Sequence, residues 1–193
     1  MNKKRIGFFG GSFNPIHVGH VLLAKALLRA VKLDEVWFVV SPLNPFKYHS
    51  TSLLEDSKRL EMVKIVLEGE KKFKVSDVEF NLPKPSYTIN TLHYLSKTYL
   101  DDDFILLIGA DNWVAFDRWN GHEQILHDYE IAIYPRKDIY IDVTQLPQNV
   151  CLVDTPLLNI SSTEIRKKLK SEQSIRGLIP DSIYDKVIKY YKE

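Results

Sequence analysis

Three short stretches of this chain are apolar almost from end to end, and that limits its fold more than any other feature. Residues 5–9, 35–41 and 104–108 carry apolar side chains on consecutive positions, not on every second one. A strand with one face in water alternates, whereas a strand covered on both faces does not. Between the first two stretches, Val18, Val21, Leu22, Ala24, Leu27, Leu28 and Val31 recur at helical spacing across residues 17–32. Strand, helix and buried strand in that order predict a parallel pair joined by a right-handed crossover. The alternation continues, with helices expected at 54–68 and 89–99 and strands at 73–78, 130–134 and 150–153. Two further helices are expected at 161–170 and 181–191. The predicted fold is α/β: a doubly wound, Rossmann-like parallel sheet with helices on both faces and a helical C-terminal part. In such sheets ligands sit beyond the carboxyl ends of the strands, near the point where strand order reverses.

A chain of 193 residues suffices for one full core but hardly for two, and no repeat or linker divides it. One domain over residues 1–193 is therefore expected. The formal net charge of +1 supplies no field that would draw the chain onto nucleic acid or an anionic membrane. Any anionic ligand must be held locally. The single cysteine, Cys151, excludes an intramolecular disulfide and a multi-cysteine metal cluster. The basic N-terminus is followed by an apolar stretch that ends at Gly10-Gly11, too short for an export signal, and no run reaches membrane-helix length. A cytoplasmic location is expected, and homo-oligomer formation is left open.

Chemistry concentrates in Gly10-Gly11-Ser12-Phe13-Asn14-Pro15-Ile16-His17-Val18-Gly19-His20, where the first strand gives way to the first helix. The glycines allow close backbone approach to a ligand. His17 and His20, three apart, share a face at the helix opening, where free N–H groups and the helix dipole favour an anion. Taken alone, the glycines mean a turn and the histidines a surface or capping pair. The pattern is neither a Gly-x-Gly-x-x-Gly fingerprint, nor a phosphate loop ending in Gly-Lys-Ser/Thr, nor a His-Glu-x-x-His zinc site. No third metal ligand is evident, so no permanent metal site is expected. Near the other end of the chain, Ile160-Ser161-Ser162-Thr163-Glu164-Ile165-Arg166 reads as a capping box, Ser161 with Glu164, opening a helix. Arg166 sits close enough to that opening to reach an anion there.

Together the two motifs resemble the nucleotidyltransferase superfamily, whose members carry a histidine-or-threonine, x, glycine, histidine core. They most closely resemble the nicotinate-nucleotide adenylyltransferase family, which has Gly-Gly-Ser/Thr-Phe-Asp/Asn-Pro-Ile-His-x-Gly-His and Ile-Ser-Ser-Thr-x-Ile-Arg in this order. Between them, Ser86-Tyr87-Thr88-Ile89-Asn90-Thr91-Leu92 resembles the family's Ser-Tyr-Thr-x-Asp-Thr-Leu, with Asn90 replacing the acid. Gly109-Ala110-Asp111, followed by Trp119, resembles its Gly-Ala-Asp…Trp. Asn14 stands where aspartate is commoner.

The resemblance implies transfer of AMP from ATP to nicotinate mononucleotide, giving deamido-NAD and pyrophosphate in NAD biosynthesis. It implies that His17 and His20 bind and polarise the ATP phosphates and that Arg166 holds the departing ones. Gly10, Gly11, Ser12, Phe13, Gly109, Asp111, Ser161 and Ser162 complete the ATP site. Thr88 and Trp119 take the mononucleotide, with the tryptophan stacked on the pyridine ring. Asn44, Lys47 and Arg136 are further mononucleotide candidates. For Asp111, contacts to ribose or metal and simple helix capping all stay open. Magnesium is expected to travel with ATP. The nucleophile is already an anion, so alignment and charge stabilisation suffice and no general base is needed. Three alternatives remain: a related nucleotidyltransferase acting on nicotinamide mononucleotide or phosphopantetheine, a non-catalytic nucleotide-binding module, and a metal hydrolase built on the two histidines.

Overall fold

The computed structural model describes residues 3–43 and 53–192. Among these residues six strands form one sheet: β1 (Lys4–Gly11), β2 (Glu35–Val40), β3 (Phe73–Ser76), β4 (Asp102–Gly109), β5 (Glu130–Tyr134) and β6 (Val150–Leu152). Their spatial order is β3-β2-β1-β4-β5-β6, and every pairing is parallel. This is the doubly wound arrangement, with the order reversing between β1 and β4.

Among the described residues, seven α-helices connect and cover the strands: α1 (Val18–Ala30), α2 (Asp56–Val66), α3 (Thr88–Thr98), α4 (Ala110–Val114), α5 (His122–Asp128), α6 (Ser162–Lys170) and α7 (Tyr184–Lys192). The side-chain alternation of each strand then feeds two separate cores. Phe9, Val36, Phe38, Val40, Ile105 and Leu107 point to the face covered by Leu27 of α1, Met62 of α2, Ile165 of α6 and Val187 of α7. Ile6, Phe8, Trp37, Val39, Leu106 and Ile108 point to the other, covered by Leu92 and Leu95 of α3 and Ile125 of α5. Both faces are apolar, which is why these strands read as continuous runs and not as alternating ones. None of the helices among the described residues is long and apolar enough to cross a membrane.

The expected elements are present, with ends shifted by a few residues. Short α5 was not anticipated, and α4 only as a helix that Asp111 could cap. Asp111 instead lies in its first turn, with Gly109 at the N-cap. At 5 and 7 residues both helices are too brief to show a period in sequence. The expected helix at 181–191 begins as a 3₁₀ turn, Asp181–Ile183, before α7.

Register explains where a ligand can enter. Strand β1 stays paired with β2 to Gly11↔Val40 but with β4 only to Phe8↔Leu106. Beyond Phe8 the two central strands part, and the chain ends that carry the motifs gather above the opening. Arg59 of α2, fully buried, holds this region from beneath. Its guanidinium donates to the carbonyls of Ser12 at 2.6 Å and Ser41 at 2.8 Å, beyond β1 and β2, and to Leu54 at 2.8 Å. The planar fork satisfies several acceptors at once, which a lysine cannot reproduce. Replacing Arg59 with methionine should lower unfolding free energy by about 3 kcal/mol, since buried carbonyls lose this charged donor. Chemical denaturation of the two proteins measures it.

Candidate active site

Two cavities open above the carboxyl ends of the strands and share one residue, Tyr134 at the end of β5. The first, of about 630 Å³, is lined by Ser12, His17, His20, Arg136, Lys137, Ser161, Ser162 and Arg166, together with residues 156–160. The second, of about 360 Å³, is lined by Gly10, Gly11, Ser41, Glu79, Ser86, Thr88, Arg118 and Trp119 among others. The N-terminal and C-terminal motifs therefore meet in one cavity.

They meet through direct bonds. Arg166 Nη1 donates to the Asn14 carbonyl at 2.7 Å, and the Ser162 hydroxyl donates to the Pro15 carbonyl at 2.9 Å. The Ser161 hydroxyl caps α6 by accepting from the Glu164 N–H at 3.1 Å. Asn14 has a structural task of its own: its Oδ1 accepts from the Tyr191 hydroxyl of α7 at 2.6 Å and from the Leu54 N–H at 3.2 Å. A neutral amide oxygen does this without burying a charge at 6% exposure.

His17 is the N-cap of α1, and its ring stacks on that of His20 with centroids 3.7 Å apart. Gly19 makes room for the pair, because a Cβ there would lie 3.0 Å from His17 Nδ1. The His17 N–H donates to His20 Nδ1 at 3.2 Å, which places the proton of a neutral His20 ring on Nε2, where it can act as a donor. Burial first, and the nearby Arg136 cation second, lower the His17 pKa from its ordinary 6.5 to about 4. It is thus neutral near pH 7. Its Nδ1 and the Ser12 hydroxyl are both buried with no hydrogen-bond partner among the described residues.

One expectation about α1 changes. The Val18 N–H, expected to face a ligand, instead donates to the Leu178 carbonyl at 3.1 Å. The Val18 N–H is thus taken within the fold, and the two imidazoles present polar surface to the cavity.

Other candidates fall as follows. Phe13 is 3% exposed and lines neither cavity; its ring packs edge-on to His20 at 5.1 Å, so it supports a site side chain from behind. Its φ of 44° is strained for a bulky residue, and this packing helps hold it. Gly10 and Gly11 line the second cavity, not the first. Gly109 and Asp111 line neither; Asp111 pairs with Arg136 at 3.3 Å, and a Cβ at Gly109 would collide with both side chains. Arg136, expected beside Thr88 and Trp119, stands instead in the first cavity with His17 and Arg166. Thr88 opens α3 at the edge of the second cavity, and Trp119 lines it while packing on Phe116 at 5.4 Å. Trp113 faces a different groove. Asn44 and Lys47 lie outside the described residues.

Sequence reasoning missed Tyr134 at the end of β5, Lys137 shortly after it, the segment 156–159 in the loop after β6, and Glu79 and Arg118 in the second cavity. The strand-end rule flags the first two groups, since both lie at or beyond carboxyl ends. Nothing in the local pattern singles out Glu79. Among the described residues no group of three or more His, Cys, Asp or Glu could hold a metal ion.

A fold of this order, with an imidazole and guanidinium cavity at its switch point, defines a nucleotide-binding class. A family model described as "Cytidylyltransferase-like" matches residues 8–168, and the chain belongs to that family. Relatives sharpen the likeness. The chain is 47% identical over 189 residues to "Probable nicotinate-nucleotide adenylyltransferase" of Bacteroides fragilis, covering 98% of this chain and 94% of that protein. It is 48% identical to the protein of the same name from Cytophaga hutchinsonii, covering 97% and 98%. A solved structure described as "Plasmodium falciparum nicotinic acid mononucleotide adenylyltransferase complexed with NaAD" superposes with a TM-score of 0.81 at 24% identity, covering 97% of this chain and 96% of that one. At that identity it bears on the fold alone.

The depressed His17 pKa has a stability consequence. Below 6.5 the unfolded imidazole takes up a proton that the folded one refuses until about 4. Stability should therefore fall as pH drops through that window, by about 3 kcal/mol in all, and be unaffected above it. Denaturation profiles of the wild type and His17→Gln measure it: the variant should lack this component.

Proposed function

We propose that the chain works as one nucleotidyltransferase domain over residues 1–193. It transfers AMP from ATP to nicotinate mononucleotide, forming deamido-NAD and pyrophosphate for NAD biosynthesis. The observation that carries this reading is the pair of cavities meeting at Tyr134, one rich in imidazole and guanidinium groups, the other walled by Trp119 and the start of α3. A triphosphate suits the first. A flat, electron-poor ring suits the aromatic wall of the second. Tyr134 would then mark where the two substrates join.

The chemistry needs little beyond placement. A phosphate oxygen of the mononucleotide attacks the α-phosphorus of ATP; the new P–O bond forms as the bond to pyrophosphate breaks. Here His20 Nε2–H, the Ser161 hydroxyl and the Arg166 and Arg136 guanidiniums bind and orient the phosphates and offset their developing charge. The Ser162 hydroxyl, already donated to the Pro15 carbonyl, holds the cavity wall in place. The charge of the triphosphate would draw His17 toward its protonated form on binding, adding a further donor.

Magnesium fits as a companion of ATP. The first cavity presents imidazole, guanidinium, ammonium and hydroxyl groups and no carboxylate among its described lining. The ion would be carried by phosphate oxygens and water, as small hard cations commonly are, and would neutralise part of the triphosphate charge. A cytoplasmic setting, where both substrates are made and used, completes the proposal.

Pyrophosphate release with ATP plus nicotinate mononucleotide, nicotinamide mononucleotide or phosphopantetheine tests the reaction and the acceptor together. The proposal requires the first to be used best; no release with any acceptor would return the chain to a binding role. His20→Ala should lower turnover by about a hundredfold with the fold intact. Trp119→Ala should raise the mononucleotide KM about tenfold and leave that for ATP nearly unchanged. Equal rises in both would remove the ring-stacking role.

A further inference from the structure

Asn14 sits where distant parts of the chain converge, and the C-terminal helix is one of them. It belongs to the turn between β1 and α1, just before His17, and lines the first cavity. Its backbone carbonyl accepts from Arg166 Nη1 of α6 at 2.7 Å. Its side-chain Oδ1 accepts from the Leu54 N–H at 3.2 Å and from the Tyr191 hydroxyl, near the end of α7, at 2.6 Å. The residue before it, Phe13, holds a φ of 44°, a conformation that persists only where the surroundings impose it. The turn depends on its neighbours for its shape.

Helix α7 is placed to deliver that bond. Val187 is buried in the core, and on α2 Glu61 accepts from Lys186 Nζ at 2.8 Å and from the Tyr190 hydroxyl at 2.9 Å. Tyr190 therefore faces α2, while Tyr191 reaches Asn14. Burial raises the Tyr191 pKa, with the nearby Arg59 and Arg166 cations pulling the other way, so the hydroxyl keeps its proton and donates. Arg166 is fixed in turn. With Nη1 on the Asn14 carbonyl and Nη2 3.4 Å from the Thr163 hydroxyl, the plane of its guanidinium is set.

We propose that Tyr191 is a positioning residue for ATP. Through the side chain of Asn14 it holds the turn that offers a carbonyl to Arg166 and leads into His17, so that both side chains meet the same phosphates. This rests on the first cavity taking the triphosphate. Tyr191 lines neither cavity, so it acts through Asn14 and not by contact with a ligand. The second cavity is lined by none of Asn14, His17 and Arg166, which confines the effect to ATP. A small misplacement of a phosphate-holding group is costly in a reaction that consists mostly of alignment.

Calorimetric binding of a non-hydrolysable ATP analogue and steady-state kinetics on Tyr191→Phe test this, since the change removes the hydroxyl and keeps the ring. The variant should bind the analogue about fivefold more weakly and lose a similar factor in kcat/KM for ATP, with the mononucleotide KM nearly unchanged. Asn14→Ala breaks the same bond from the other side and also deprives the Leu54 N–H of this acceptor, so it should lose about tenfold. The double variant should lose no more than Asn14→Ala alone. Glu61→Gln, which loosens α7 from α2 without touching Asn14, should lower stability and leave ATP binding nearly unchanged. These last two single variants carry the test if Tyr191→Phe does not fold. Unaltered ATP binding in Tyr191→Phe or Asn14→Ala overturns the proposal. So do additive losses in the double variant, an equal rise in the mononucleotide KM, or an equal loss of ATP binding in Glu61→Gln. A wild type that fails to bind the analogue would sink the functional reading itself; a wild type that binds it no better than Tyr191→Phe would sink only the role of Tyr191.

Discussion

The structure depends on a seam between its two ends. Arg166 on the carbonyl of Asn14 and Ser162 on the carbonyl of Pro15 join residues about 150 positions apart. Each bond is modest on its own in water, but both are sheltered and one is charge-assisted. Their effect is to fix the opening of α6 against the turn that precedes α1. Tyr191 of α7 adds a third tie through Asn14. The first cavity exists because of this seam, since neither the N-terminal turn nor the C-terminal helices enclose it alone.

Placement of the seam follows from the sheet. The chain's two halves wind away from β1 in opposite directions, and above the parting of β1 from β4 there is a gap that no crossover fills. Arg59 braces the floor of that gap by gathering carbonyls from beyond β1 and β2. Rigid support from below and a tied rim above suit a reaction that consists mostly of holding two anions in line. The same architecture separates the tasks: cations surround one cavity, an aromatic wall bounds the other, and the buried Tyr134 divides them.

Much of the fold was legible in the chain. Consecutive apolar residues in β1, β2 and β4 announced a sheet covered on both faces, and the spacing of α1 announced the crossover. Boundaries and the short α4 and α5 were less legible, because they depend on tertiary contacts such as Ile125 packing onto the sheet. The partnership of His17 and His20 with Ser161 and Arg166 was readable only through family resemblance. No local pattern says that two ends of a chain will touch. Arg136 shows the limit most plainly. Its charge was visible, but which cavity it faces depends on how the chain turns after β5, with the ring of Tyr134 beneath its guanidinium at 5.0 Å. Glu79 was invisible for a related reason: a glutamate in a polar stretch reads as solvated until the fold buries it.

The central claim is that His20 and Arg166 act on one triphosphate in one cavity. A double-mutant cycle on the binding of a non-hydrolysable ATP analogue, measured calorimetrically for wild type, His20→Ala, Arg166→Ala and the double variant, tests it most directly. A shared ligand group predicts a coupling of about 1 kcal/mol or more, with the double variant losing less than the two single losses combined. Losses that add within about 0.3 kcal/mol would mean that the residues act apart, and the account of a jointly built cavity would be wrong.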